Sequence, residues 1–81
     1  MVDVGSLPFD QALRQVLAEN LRRLRAAHGW SQEELAFECQ LHRTFVAHVE
    51  RGKRNISLDN IGKLAGAFGI PAYQLLQPKL D

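Results

Sequence analysis

The stretch Ser31–Asn55, SQEELAFECQLHRTFVAHVERGKRN, decides the fold. It reads as two short helices joined by a tight turn and followed by a basic loop. Ser31 is a good N-cap, because its hydroxyl can accept a bond from an otherwise unpaired amide of the first turn. Glu34 follows at the spacing of a capping box, and Glu33 and Glu34 both sit at the positive end of the helix dipole. A helix is therefore predicted from near Gln32 to near Cys39, with Leu35, Ala36 and Cys39 on its apolar side. Gln40, Leu41 and His42 form the turn, with Leu41 plugging the core beneath it. Turns of this kind often hold a glycine, and this one has none. The second helix is predicted from near Arg43 to near Arg51, with Gly52 as the residue that ends it.

Val46 and Val49 face inward in that second helix. Arg43, Thr44, Ala47 and His48 fall on the other side, because 43/47 and 44/48 are i, i+4 pairs. Such a face suits a DNA major groove. Arginine grips guanine O6 and N7 with two bonds, threonine bonds a base or touches a thymine methyl, and alanine permits close approach. A plain solvated helix face looks the same when taken alone. The loop that follows adds the second half of the signal. Arg51, Lys53 and Arg54 are packed beside Asn55 in a chain whose formal net charge is only +1, so the positive charge is concentrated here. Phosphate contact requires such a cluster next to a polar helix. Gln32, at the start of the first helix, offers further donors to a phosphate.

Ser31-Gln32-x-x-Leu35-Ala36, Arg43-Thr44-Phe45-Val46 and Val49-Glu50-Arg51-Gly52-Lys53-Arg54-Asn55 together resemble the helix-turn-helix of the lambda-repressor-like, Xre-type family of transcriptional regulators. The resemblance runs from roughly Leu17 to Leu76, and its wording is most similar to the controller proteins of restriction–modification systems. It implies an all-α, compact five-helix domain with the helix-turn-helix at the second and third helices. It implies that His42, Arg43, Thr44, Ala47 and His48 read base edges. Gln32, Arg51, Lys53, Arg54 and Asn55 match phosphate-binding positions. Arg25 and Glu50 match a partly buried ion pair between the first helix and the recognition helix. The last helix and the loop before it match a dimer contact, with Ile56, Tyr73, Gln74, Leu76 and Leu80 as its candidates.

The rest of the chain supplies core. Met1 to Ser6 carries no pattern, and residues 1–7 are read as an arm. Ser6 or Asp10 would cap a helix beginning near Pro8, whose apolar stripe is Leu13, Val16, Leu17, Leu21 and Leu24. Gly29 ends it near His28. Trp30 precedes the Ser31 cap and is read as a core-covering staple rather than a platform for bases. Ser57 caps a fourth helix with Leu58, Ile61, Leu64, Ala65 and Phe68 as its buried stripe and Gly69 as its end. A short fifth helix is predicted from Pro71 to Leu76, since proline suits a first helical position. Pro78 stops it, and residues 77–81 form a tail.

Eighty-one residues make one small domain, residues 1–81. A domain this size hides only about 60–65% of its unfolded surface, so a homodimer would add stability and would suit a palindromic double-stranded DNA site. The single cysteine, Cys39, permits no internal disulfide and falls on the apolar side of its helix. No signal-peptide or membrane-length apolar run is present, which makes the cytoplasm the expected address and excludes a membrane partner. Cys39, His42 and His48 lie near one another, but the helical reading turns Cys39 inward and His48 outward, so no metal is expected. No phosphate-binding glycine loop or nucleophile–base arrangement survives the same reading, so neither a cofactor nor catalysis is expected. The competing reading is an antitoxin-type module that uses the same fold to hold a toxin or other protein partner.

Overall fold

In the computed structural model, which describes residues 9–78, the chain forms α1 (Phe9–His28), α2 (Gln32–Cys39), α3 (Arg43–Glu50) and α4 (Leu58–Phe68), followed by a 3-10 turn, Ala72–Leu76. The expected arm, the Ser6 cap, the tail beyond Pro78 and the dimer candidate Leu80 lie outside the described residues. Asp10 is not a cap, because α1 already includes Phe9.

Polar side chains start α2, α3 and α4. The Ser31 hydroxyl accepts from the Glu34 amide at 3.1 Å, and the Glu34 carboxylate accepts from the Ser31 amide at 2.9 Å, closing the capping box. The Ser31 amide, and after it the Ser31 hydroxyl, hold the Glu34 carboxyl below the usual carboxylate range. Ser57 accepts from the Asn60 amide in the same way, at 3.1 Å. The start of α3 uses a ring nitrogen instead: His42 Nδ1 accepts from the Thr44 amide at 3.1 Å.

The helix ends share one device. In α1, α2, α3 and α4 a residue with positive φ turns the chain, and the next amide reaches back to the carbonyl five residues before it. Those amides belong to Trp30, Leu41, Lys53 and Ile70. The turning residue is glycine in α1, α3 and α4, and Gln40 in α2, at φ 59°. The missing glycine of the helix-turn-helix is thus replaced by a residue strained into the left-handed region. A Cβ there is unfavourable, and only the two backbone bonds and the seating of Leu41 hold it.

The core forms where the helices' apolar faces meet. Leu17 and Leu21 of α1, Leu35, Ala36 and Cys39 of α2, Val46 and Val49 of α3, and Ile61, Leu64, Ala65 and Phe68 of α4 are buried together with Leu75. α3 packs on both α1 and α2, and the 3-10 turn packs on α1 and α4. Burial pushes the Cys39 thiol up, in keeping with a small core residue. Trp30 stacks on Phe68 at 5.7 Å between ring centroids and so covers the core edge.

The structure corrects three further expectations. The element after Pro71 is a 3-10 turn and not a fifth α-helix. Pro71 keeps an extended backbone as its cap, the Gln74 amide bonds back to the Pro71 carbonyl, and only five residues fit before Gln77. Leu58 is not part of the buried stripe of α4. As the first residue of the helix it stands at the rim, 83% exposed. Leu13, near the outer end of α1, is half exposed for the same reason: among the described residues no element packs over it.

Asn20 had no assigned role in the sequence pattern, yet it is buried. Its amide nitrogen donates to the carbonyls of Leu75 and Gln77, each at 2.8 Å, and its oxygen accepts from Arg23 at 2.9 Å. One side chain of α1 thereby satisfies carbonyls that a 3-10 turn leaves open.

Replacing Gln40 with glycine removes the left-handed strain and adds chain entropy to the unfolded state. The first effect is about 1–2 kcal/mol and the second about 0.5–1 kcal/mol, so Gln40→Gly is expected to stabilise the fold by about 0.5–1 kcal/mol. Urea denaturation measures it, and a loss of stability would mean that the Gln40 side chain makes a contact worth more than its strain.

Candidate nucleic-acid interface

The outer side of α3 and the start of α2 border a shallow cleft. Gln32, Glu33, Arg43, Thr44, Ala47 and Arg51 line it. Five of these six were singled out from the sequence as base or phosphate ligands; Glu33 was not. Arg43 and Thr44 are exposed, whereas Ala47 and His48 are half-buried. His42 is exposed, but its Nδ1 is taken by the cap on α3, which leaves Nε2 as its free ring nitrogen.

Glu50 fixes the cleft to the rest of the molecule. Its side chain is 3% exposed. Arg25 meets it with a two-pronged grip, Nε to Oε2 at 2.7 Å and Nη2 to Oε1 at 3.0 Å. The third nitrogen of Arg25 donates to the Trp30 carbonyl at 2.9 Å. Gln32 Nε2 donates to Glu50 Oε1 at 3.0 Å, so the Gln32 side chain is tied to α3, and what it offers at the cleft is the amide-rich start of α2. Arg22 Nη1 donates to the Glu50 carbonyl, at the end of α3. The carboxylate keeps the Arg25 guanidinium charged more firmly than usual, chiefly through the side-chain bond.

Beyond α3, Arg51, Lys53, Arg54 and Asn55 are all exposed. The Lys53 amide is pinned to the His48 carbonyl at 3.0 Å, which sets the loop against the helix end. The Arg54 guanidinium lies over the Phe45 ring, 5.3 Å from its centroid. A positive loop is therefore held in one place beside a polar helix face. Arg22 joins it, because its bond to Glu50 brings a further guanidinium of α1 to the same end of α3. Sequence spacing gave no sign of that contact, which spans 28 positions.

The dimer candidates are scattered differently. Tyr73 is 62% exposed and Gln74 is exposed, while Ile56 and Leu76 are partly buried against the core. Ile56 and Leu76 line an apolar groove with Leu13 and Leu58. Among the described residues no group of three or more His, Cys, Asp and Glu side chains is placed to hold a metal ion, and no helix is long and apolar enough to cross a membrane.

Glu50→Ala leaves the Arg25 guanidinium and the Gln32 amide without their acceptor. The expected cost is about 3 kcal/mol, the lower end for a broken buried pair, because Arg25 keeps some contact with water. Urea denaturation tests this; a loss below about 1 kcal/mol would put the pair in the class of surface contacts.

Comparison with known proteins agrees with this geometry. The helix-turn-helix family model matches residues 21–75. A Neisseria meningitidis protein described as a hypothetical transcription factor is 58% identical over 91% of this chain and 70% of its own length. The control protein C.BamHI of Bacillus amyloliquefaciens is 46% identical over 79% of this chain and 80% of its own. The crystal structure of the restriction–modification controller protein C.AhdI from Aeromonas hydrophila superposes with a TM-score of 0.73, at 50% identity over 76% of this chain and 94% of that one. The chain belongs to the Xre-type helix-turn-helix family of DNA-binding transcription regulators, which are not enzymes.

Proposed function

We propose that this chain is a cytoplasmic, homodimeric regulator that binds a palindromic double-stranded DNA site in a sequence-specific way. α3 of each copy enters the major groove, and the two half-sites lie about one helical turn apart, ~34–36 Å. The observation that carries this reading is the cleft between α2 and α3, where Arg43 and Thr44 are exposed beside Ala47 and Arg51. Arg43 reads a guanine edge, and Thr44, Ala47, His48 and His42 Nε2 contribute neighbouring contacts. The loop residues Arg51, Lys53, Arg54 and Asn55, with the start of α2 at Gln32, grip phosphates on either side.

The groove lined by Leu13, Ile56, Leu58 and Leu76 supports the dimer, since these apolar side chains gain most from a cover. Tyr73 and Gln74 extend the same contact. Mass measurement by sedimentation is expected to give a homodimer for the purified chain. A monomer that stays soluble only with a second protein would favour the antitoxin-type reading instead.

A duplex selected from a random pool against the purified chain supplies the probe for the DNA-facing residues. Arg43→Ala is expected to cost about 1–3 kcal/mol on that duplex and to relax base choice at one position. If it weakens every sequence equally, Arg43 is a phosphate ligand and the assignment fails. Lys53→Ala is expected to weaken all sequences alike and to flatten the salt dependence by about one unit. An unchanged slope removes Lys53 from the contact.

A further inference from the structure

Glu33 is the unassigned residue of the cleft. Its Oε1 accepts from Arg43 Nη1 at 2.6 Å, and both side chains are about two-thirds exposed, at 68% and 67%. An exposed pair of this kind adds little to the fold. Its position is what matters: a carboxylate stands among Gln32, Thr44, Ala47 and Arg51, on a surface otherwise suited to a polyanion. A negative charge there opposes phosphate binding, so the cleft would grip DNA more tightly in general without it.

We infer that Glu33 is a positioning residue that makes Arg43 a reader of bases instead of a phosphate ligand. The inference rests on the DNA-binding reading given above. Two features of the geometry support it. Glu33 takes Nη1 of Arg43 and leaves the Nε–Nη2 edge free. That edge is the parallel fork with which Arg25 grips Glu50, and such a fork can also meet O6 and N7 of guanine. The carboxylate therefore holds the guanidinium by its unused corner.

The second feature is the penalty for leaving. A long arginine side chain that lacks a matching base can swing to a phosphate on any sequence. Here such a swing strips Glu33 of its counter-charge while the carboxylate faces the duplex. On guanine the guanidinium serves both partners at once, and Glu33 remains neutralised. The ion pair thus charges a cost to wrong sequences and almost none to the right one, which is how specificity is gained by repulsion as well as attraction.

The test uses the full chain, the duplex selected from the random pool, its single-base variants, and a scrambled duplex of equal length. Glu33→Gln is expected to raise affinity for the scrambled duplex about threefold to tenfold, and to steepen its salt dependence by about one phosphate contact, as Arg43 moves to the backbone. Base discrimination at the position read by Arg43 falls by about fivefold, within the range of coupled neighbours. In an Arg43→Ala background, Glu33→Gln leaves discrimination and salt slope unchanged. Glu33→Asp, which keeps the charge on a shorter stem, restores part of the discrimination. If Arg43→Ala relaxes one base position but Glu33→Gln alters neither discrimination nor slope, Glu33 is a bystander and this inference falls alone. If Arg43→Ala relaxes no position, the base-reading assignment falls, and the inference with it.

Discussion

One buried carboxylate holds three helices in register. Glu50 sits at the end of α3, receives both prongs of Arg25 from α1, and takes the side-chain amide of Gln32 from α2. Burying a charge is costly unless every lone pair is met, and here the partners come from separate elements. The consequence is geometric. α3 is only eight residues long, too short to be stable as an isolated helix, so its attitude is set by what it is fastened to. The core valines Val46 and Val49 fix how deeply it lies, and Glu50 fixes its rotation and slide.

That fastening separates two kinds of residue on one helix. The inward side is spent on Val46, Val49 and Glu50, all buried. The outward side keeps Arg43 and Thr44 free of the core. The turning residues at each helix end extend the same logic. A stop built from two backbone bonds leaves little play in where the next element begins. Leu41, set by the Gln40 turn, and Lys53, set by the Gly52 turn, therefore bracket α3 at both ends.

Local chemistry in the chain was enough to place most of this. Ser31 with Glu34, Ser57, and the glycines at 29, 52 and 69 announce helix ends through bonds that span only a few residues, and each end lies where that chemistry put it. The cleft was legible for a related reason: Arg43, Thr44 and Ala47 share a face by helical spacing alone. What escaped was information held between elements. Leu58 and Leu13 fit apolar stripes, but a stripe does not reveal where the opposing element stops. Asn20 and Arg22 act on carbonyls more than two dozen residues away, and no period in the sequence points to them. Glu33 was read as a dipole partner for α2, which is true of any acidic residue there. Only the fold brings Arg43 to its carboxylate. The absence of a glycine at the turn could be read from the chain, but not that Gln40 would take the left-handed place itself, held by backbone bonds.

The grip of Asn20 on the last turn has a bearing on how the protein is made. Its bonds join α1 to carbonyls 55 and 57 positions further on. At a synthesis rate of roughly 5–20 residues per second, α1 waits some seconds for these partners to appear. Until then the Asn20 amide, meant for the interior, stays in water. The helix-turn-helix, though complete in sequence by Asn55, thus acquires its settled frame only when the final turn arrives, and a nascent chain halted short of it would present the reading head on an unfinished mount.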